Sequence, residues 1–125
     1  MVKALLSILI TAALLAGACV FEHQFVKASF DQIALAVETL REKVDEETAT
    51  SADGEAVQTL WEEQKKKLHI VIPHNDISYV DYWIAEAVGC IQTQDYREAH
   101  SKLEVLVTVC KQIPATYHMT AGNVL

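Results

Sequence analysis

Two histidines and an aspartate lie close together in the sequence and are the best candidates for a binding site. His69 and His74 flank a short apolar segment, and Asp76 follows His74 by two positions. Imidazole nitrogens and carboxylate oxygens are common ligands of zinc and related metal ions. However, the spacing matches neither H-E-x-x-H nor another paired-ligand motif, and His74 can instead order the loop through a hydrogen bond. We therefore predict no resident metal and keep His69, His74 and Asp76 as the candidate ligands.

Nucleophilic catalysis is disfavoured by the surroundings of the serines and cysteines. Ser29, Ser78 and Ser101 lie within helical patterns, and no G-x-S-x-G turn occurs in the sequence. Cys90 and Cys110 belong to apolar helix faces, where burial disfavours the reactive thiolate. The four glycines are scattered, so they form no phosphate-binding loop. We therefore predict that the protein is not an enzyme and has no cofactor.

The first 21 residues carry the strongest compositional signal in the chain. The 18 residues from Ala4 to Phe21 carry no charge; Lys3 precedes them and Glu22 follows them. As a helix this segment is about 27 Å long, close to the ~30 Å hydrocarbon core of a bilayer. We predict an uncleaved signal-anchor, with Lys3 and the N-terminus in the cytoplasm and the chain from Glu22 onward outside.

Two cleaved alternatives depend on the small residues near the end of this segment. Ala16, Gly17 and Ala18 precede Cys19, an order that resembles a lipoprotein signal with Cys19 as the lipidated residue. The same Ala-x-Ala order also fits ordinary secretory cleavage after Ala18. A buried core helix is disfavoured, because a small domain has little room for a helix that is apolar all round.

The composition beyond the apolar segment restricts the partners. Residues 22–125 contain 17 acidic and nine basic side chains, a formal charge of −8 with neutral histidines. A domain this acidic repels nucleic acid and anionic membrane surfaces. We therefore expect contact with the membrane only through residues 4–21, a protein partner or self-association, and no binding of nucleic acid.

A hydrophobic stripe with helical spacing begins soon after the apolar segment. Its members recur at intervals of four and three residues, which predicts a helix over about residues 21–47. They are Val26, Phe30, Ile33, Val37, Leu40 and Val44. No proline or glycine separates the stripe from the end of the apolar segment, so the two are expected to form one long helix. Such a stripe is typical of the core face of a bundle, with a coiled-coil seam between two copies as the alternative.

The second and third helices are predicted from turn residues and caps. Small polar residues at 48–54 predict a loop, so the second helix is expected from about Glu55. Pro73 ends the apolar run after this helix, since proline cannot continue it. Asn75 or Asp76 is then expected to cap the third helix.

The last two helices are expected to form an antiparallel hairpin about a turn near residue 94. Asp95 is predicted to cap the fourth helix, and Pro114 to stop it. In such a hairpin Cys90 and Cys110 lie about 18 Å apart along the axis, far beyond the ~7 Å limit between Cα atoms for a disulfide. We therefore predict two reduced, buried cysteines, with an intermolecular bridge through Cys90 as an alternative.

Aromatic and basic residues of the second and third helices complete the candidate binding residues. Trp61 and Trp83 are expected to pack across these helices, in the core or in a groove that binds a partner. The basic run at residues 65–67 is typical of a solvated helix end, with contact to lipid phosphates as the alternative. Trp61, Pro73, His74 and Trp83 are the residues that we single out as candidates for an interaction or for a family motif.

These elements predict an all-α fold. Residues 1–21 are the transmembrane or signal helix, which continues into an up-down antiparallel bundle of about four helices. The bundle is expected over residues 22–114, outside the cytoplasm, and residues 115–125 are expected to form a C-terminal tail.

The order of several short segments resembles an uncharacterised bacterial family known as domain of unknown function 4363. The segments are Trp61-Glu-Glu-Gln-Lys-Lys-Lys67, Ile72-Pro-His-Asn-Asp-Ile77, Gln94-Asp95, Ile113-Pro114 and Asn123-Val-Leu125. Members look like short proteins of Gram-positive, often spore-forming bacteria, with one hydrophobic N-terminal segment and a helical outer part. The resemblance implies an anchored topology, and it carries no activity, cofactor or catalytic residue to this chain.

The sequence as a whole favours a non-enzymatic protein held in the cell membrane by a single N-terminal helix. Its outer helical part is expected to bind another protein or itself, as an interaction or structural component of the envelope. The alternative is a metal- or ligand-binding sensor that uses His69, His74 and Asp76.

Overall fold

The described part of the chain consists of four helices and the short irregular segments that connect them. The computed structural model describes the backbone of residues 1–124 and the side chains of residues 1–116. The helices are α1 (Val2–Asp45), α2 (Ser51–Leu68), α3 (His74–Gln92) and α4 (Tyr96–Val124), and no strand occurs among the described residues. The all-α prediction is therefore confirmed.

The long first helix is confirmed as one continuous element. α1 contains 44 residues, so it is about 66 Å long. The stripe predicted from the sequence is buried from Val26 to Val44, whereas every residue from Met1 to Glu22 is exposed. We call residues 2–21 the apolar half of α1 and residues 22–45 its bundle half.

Four helices close into a ring in which α1 and α3 each pack against both α2 and α4. The ion pair between Lys111 of α4 and Glu38 of α1 shows that these helices are antiparallel, as does the contact of His100 with Asp45. Only the bundle half of α1 contributes to the core. Phe30 meets Trp61 of α2 there, with 6.2 Å between ring centroids.

This topology gives the bundle two different ends. The distal end contains the α1–α2 and α3–α4 connections, at residues 46–50 and 93–95. The other end contains the α2–α3 loop, at residues 69–73, beside the point where α1 enters the bundle. We call it the anchor-proximal end, after the anchor that the sequence predicts.

The start of α2 differs from the prediction. The helix begins at Ser51 instead of near Glu55, because Thr50 and Asp53 form a capping box. The Thr50 hydroxyl accepts a hydrogen bond from the Asp53 backbone N–H at 3.3 Å, and the Asp53 carboxylate accepts one from the Thr50 N–H at 2.9 Å. Polar residues that are typical of a loop therefore serve here as a helix start.

The caps of α3 and α4 give one correction and one confirmation. α3 begins at His74 with Pro73 as its N-cap, so the prediction that Asn75 or Asp76 caps it was wrong. The Pro73 carbonyl instead accepts the hydrogen bonds of the first turn, including one from the Ile77 N–H at 3.2 Å. The cap of α4 is confirmed, because the Asp95 carboxylate accepts from a backbone N–H at 3.3 Å.

The end of α4 also differs from the prediction. The helix continues through Pro114 to Val124, so the predicted stop at Pro114 was wrong. Residues 115–124, predicted as part of a C-terminal tail, belong to this helix, and Leu125 lies outside the described residues. Proline removes one N–H from the helical ladder, at a cost of about 3 kcal/mol in a helix interior. Ile113 and Pro114 are both buried, and this packing offsets part of the cost.

Candidate functional site

His69 and His74, predicted from the sequence as candidate ligands, lie at the anchor-proximal end. Both line an open groove of about 520 Å³ between α2 and α3. Asp76, the third candidate, is not among the lining residues. The lining residues are Lys65, Lys66, His69, Ile72, His74, Ile77 and Asp81.

The groove does not form a metal centre from these candidates. Across residues 1–116, no three His, Cys, Asp or Glu side chains are grouped so that they could hold a metal ion. His74 is exposed, and its Nε2 lies 3.4 Å from the Ser78 hydroxyl one turn further along α3. This contact lies within α3 itself, so the interpretation of His74 as a residue that orders the loop stays a prediction.

The floor of the groove is a polar network that joins α2 to α3. Asp81 accepts hydrogen bonds from the Trp61 indole N–H at 2.6 Å and from the Lys65 ammonium at 3.2 Å. Lys65 also pairs with Glu62 at 2.9 Å. The hydrogen bond with Glu62 raises the pKa of Lys65, and the bond with Asp81 adds to that effect. Because Lys65 and Asp81 balance each other, we assign this network to the packing of Trp61.

The second candidate tryptophan, Trp83, is half-buried and packs against the edge of the core, whereas Trp61 is buried within it. Tyr79 and Tyr82 contact its edge or face, with centroid distances of 6.2 and 5.4 Å, and they are 51% and 56% exposed. The Lys102 ammonium of α4 lies 5.4 Å from the centre of the Trp83 ring. We call Tyr79, Tyr82 and Trp83 the aromatic face of α3.

Trp83 carries a polar group that the described residues leave unsatisfied. Its indole N–H is buried and has no hydrogen-bond acceptor in the part of the chain whose side chains are described. Buried indole N–H groups usually have a partner, and an exposed aromatic patch often marks a binding surface. Residue types alone could not show that Tyr79 and Tyr82 face solvent beside Trp83.

The apolar half of α1 is the largest exposed apolar surface of the protein as described. An 18-residue window within the helix has a mean hydropathy of 2.5 and is 0% buried. This is the single described helix that is long and apolar enough to cross a membrane, a test that signal sequences also pass. Cys19 lies in this half with an exposed side chain.

The three cysteines are free, which confirms the prediction of no disulfide between Cys90 and Cys110. Burial raises the pKa of Cys110 to about 12. Burial also raises the pKa of Cys90, with the carboxylate of Asp95 contributing, although Cys90 is only half-buried and not fully buried as predicted. Both thiols are therefore protonated at neutral pH and are poor nucleophiles.

The α2–α3 loop presents residues that the sequence did not single out. Ile70 is 82% exposed, although it belongs to a run of apolar residues. It lines a groove of about 430 Å³ with Phe21 and Phe25 of α1 and with Lys66 and Lys67 of α2. Periodicity along one helix carries no information on this contact between three segments, so the sequence could not predict it.

Comparison with known proteins gives one match. A family model described as "Domain of unknown function (DUF4363)" matches residues 20–124. No curated protein and no solved structure matches the chain. The match covers the bundle and starts near the end of the apolar half of α1.

Proposed function

The chain belongs to the DUF4363 family, and we propose that it is a non-enzymatic, membrane-anchored protein whose helical bundle lies outside the cytoplasm and binds a protein partner. The observation that carries this proposal is the change of surroundings along α1. Its apolar half is fully exposed, whereas its bundle half forms one wall of a packed core.

The anchorage follows from the energetic cost of leaving the apolar half in water. Its exposed large side chains alternate with small ones, and the segment from Ala4 to Phe21 carries no charge. A bilayer removes this surface from water and satisfies the length requirement of a single span. Lys3 on one side orients the helix with that side in the cytoplasm by the positive-inside rule.

The partner surface is assigned to the aromatic face of α3. Tyrosine and tryptophan are enriched at protein interfaces, since they combine a large apolar area with a polar group. Tyr79 and Tyr82, which are 51% and 56% exposed, present this apolar area to solvent. Lys102, beside the same ring, adds a positive charge to an otherwise acidic domain.

The topology is tested by fusing reporters after residue 125 in a bacterial expression host. An alkaline phosphatase fusion should be active and should sediment with membranes, because this reporter matures only outside the cytoplasm. A fluorescent, cytoplasmic reporter at the same position should be dark. The reverse pattern would overturn the proposed orientation.

The mass of the mature protein separates an uncleaved anchor from its alternatives. We expect the intact mass of the full chain. A mass that lacks residues 1–18 would show a cleaved, secreted form instead of the signal-anchor. The same loss with a diacylglycerol group added on Cys19 would show a lipoprotein.

The partner surface is tested by a photo-crosslinking residue at Tyr82 in the full chain. We expect a discrete adduct that is lost when Tyr79→Ser is added, and no adduct from the matched position Glu55, which is exposed on α2. An adduct of twice the protein mass would identify a second copy as the partner. Equal labelling from Tyr82 and Glu55 would remove the aromatic face from the proposal.

A further inference from the structure

The α2–α3 loop lies level with the end of the apolar half of α1. Phe21 and Phe25 stack along α1 with 6.5 Å between ring centroids, and the loop residues Ile70 and Val71 line a groove with them. Glu22, the first charged residue after the apolar segment, borders the same groove. In a membrane-anchored chain, this level is the boundary between hydrocarbon and headgroups.

The three lysines that precede the loop have different roles. Lys65 is held by Glu62 and Asp81, so it serves the packing of α2 against α3. Lys66 and Lys67 are exposed, and neither makes an ion pair with any side chain among residues 1–116. Two positive charges are therefore left free at the anchor-proximal end.

Ile70 adds an apolar group to these two charges. It is 82% exposed, the highest value after Met1 among the large apolar side chains of residues 1–116. A branched apolar side chain beside lysines on one surface is the composition of a segment that lies in the headgroup region. Two lysines and one carboxylate, Glu22, line this groove, so its net charge is positive in a domain with a formal charge of −8.

We propose that the α2–α3 loop is a second membrane contact, in which Ile70 enters the headgroup layer and Lys66 and Lys67 bind the phosphates of anionic phospholipids. The proposal rests on the anchorage of α1 proposed above. It reverses the expectation that the acidic domain avoids anionic membrane surfaces, because the charge that matters is the charge at one end. Lysines near an anionic surface each favour contact by roughly fivefold, which makes the pair worth about 30-fold.

The contact is tested by a nitroxide label at position 70 in the full chain. The native cysteines are replaced by alanine, Ile70→Cys is labelled, and the protein is reconstituted in nanodiscs. One set contains phosphatidylcholine alone, and the other contains phosphatidylcholine mixed with phosphatidylglycerol. We expect accessibility of the label to a water-soluble nickel complex to fall severalfold in the anionic set, while its accessibility to oxygen rises.

Two variants of equal charge make the test specific. Lys66→Gln/Lys67→Gln removes two positive charges from the loop, and Arg97→Glu changes the net charge by the same amount at the exposed start of α4, at the distal end. The first should abolish the difference between the two lipid compositions, and the second should preserve it. Equal behaviour of the two variants would reduce the effect to net charge and overturn the proposal.

A label at Leu14→Cys separates this proposal from the anchorage on which it rests. A label at residue 14 in the hydrocarbon and a label at residue 70 in water, in both compositions, would overturn the loop contact and leave the anchor intact. A label at residue 14 in water would overturn the anchor itself. If the label at residue 70 became less accessible to the nickel complex as the protein concentration rose, with no dependence on lipid composition, the loop would contact a second copy of the chain.

A measurement on the chain with its native cysteines guards against misfolding of the labelled variants. Lipid that binds the folded bundle raises its melting temperature by linkage. The bundle should melt at a higher temperature in anionic than in zwitterionic nanodiscs, for wild type and Arg97→Glu only. An unchanged or lower melting temperature of the wild type in anionic nanodiscs would contradict the proposal.

Discussion

The two halves of α1 have the same secondary structure and opposite surroundings. Val26, Ile33 and Val37 of the bundle half are 0% exposed, whereas Leu5 and Leu14 of the apolar half are 60% and 70% exposed. The bundle half alternates apolar and charged positions with helical period, and the apolar half is apolar on every side. Both halves form a helix, but the pattern of their side chains differs. A stripe on one side needs the other helices of the bundle, whereas a helix that is apolar on every side needs apolar surroundings all round.

The family model starts at residue 20, close to the boundary between the two halves. The bundle half must match α2 and α4 residue by residue, because its core positions touch specific side chains. An apolar half in lipid needs only length and hydropathy, which many sequences provide. The two halves are therefore open to separate perturbation, and four predictions follow from the largest effect to the smallest.

Charges in the apolar half should have the largest effect and should act on membrane attachment alone. Leu9→Arg/Leu14→Arg places two charges in the span, at a cost of about 2.5–3.5 kcal/mol each. We expect the full chain to leave the membrane fraction while the bundle keeps its melting temperature. Leu35→Arg, at an exposed position of the bundle half, is the control and should stay membrane-bound. Sedimentation of the double variant with membranes would contradict anchorage by this segment.

Truncation in the bundle half should act on stability alone. Phe30→Ala removes a buried ring that packs against Trp61, at a cost of about 3–5 kcal/mol in unfolding free energy. Phe21→Ala makes the same change at a 70% exposed position, and we expect it to stay within about 1 kcal/mol of wild type. Denaturant unfolding in nanodiscs, followed by near-ultraviolet circular dichroism, measures both. Equal losses would show that the two halves share one cooperative core.

Loss of the α2 cap should produce a smaller effect, confined to the bundle. Thr50→Ala removes the hydroxyl that accepts from the Asp53 N–H, at a cost of about 1 kcal/mol. Thr39→Ala is the matched control, since its hydroxyl only bonds to the carbonyl one turn back on an exposed face. A difference of less than about 0.3 kcal/mol between these variants would show that the capping box does not stabilise α2.

The smallest expected effect is a dependence of bundle stability on acid. The hydrogen bond from the Thr50 backbone, followed by the bond from Lys43, holds the pKa of Asp53 below its ordinary value. A lowered folded-state pKa adds stability above the unfolded-state pKa, and that stability is lost as the pH falls through the folded-state pKa.

Asp53→Asn tests this direction against wild type. Its deficit in melting temperature should be present at neutral pH and should shrink below about pH 4, where the unfolded aspartate is protonated. The apolar half has no acidic side chain, so its membrane retention should not change over the same range. A deficit that persists unchanged at low pH would contradict the charge-dependent part of the cap.

Periodicity was sufficient to predict the elements and most of the core. The stripe from Val26 to Val44 identified the buried face of α1, since a spacing of three and four places residues on one side of a helix. The hairpin of α3 and α4 followed from the cap at Asp95. The stripe and the cap both depend on residues that are close together in the sequence, so the sequence alone is enough to predict them.

Boundaries that depend on competing local effects were not predicted. The run before Gly54 is typical of a loop, yet the bonds between Thr50 and Asp53 make it the first turn of α2. Pro114 is typical of a helix end, yet burial of Pro114 keeps it inside α4. In both cases the outcome depends on a contact that residue type alone does not reveal.

The sequence identified residues of the candidate sites but not their surroundings, because the surroundings also depend on contacts between helices. The sequence identified Trp61 and Trp83, but only the fold shows that one is buried against Phe30 and the other is half-buried beside two exposed tyrosines. The free lysines of the α2–α3 loop matter because this loop lies beside Phe21, about 45 residues earlier in the chain. Such proximity is a property of the packed bundle, and no spacing in the sequence contains it.

The absence of a break in α1 has a mechanical consequence. A helix without a hinge transmits tilt and axial rotation, so the bundle turns as a rigid lever with the segment to which it is joined. The uncharged segment of the apolar half is slightly shorter than a ~30 Å hydrocarbon core, so a bilayer that held it would thin around the helix instead of tilting it. The unbroken joint would then hold the bundle close to the membrane surface.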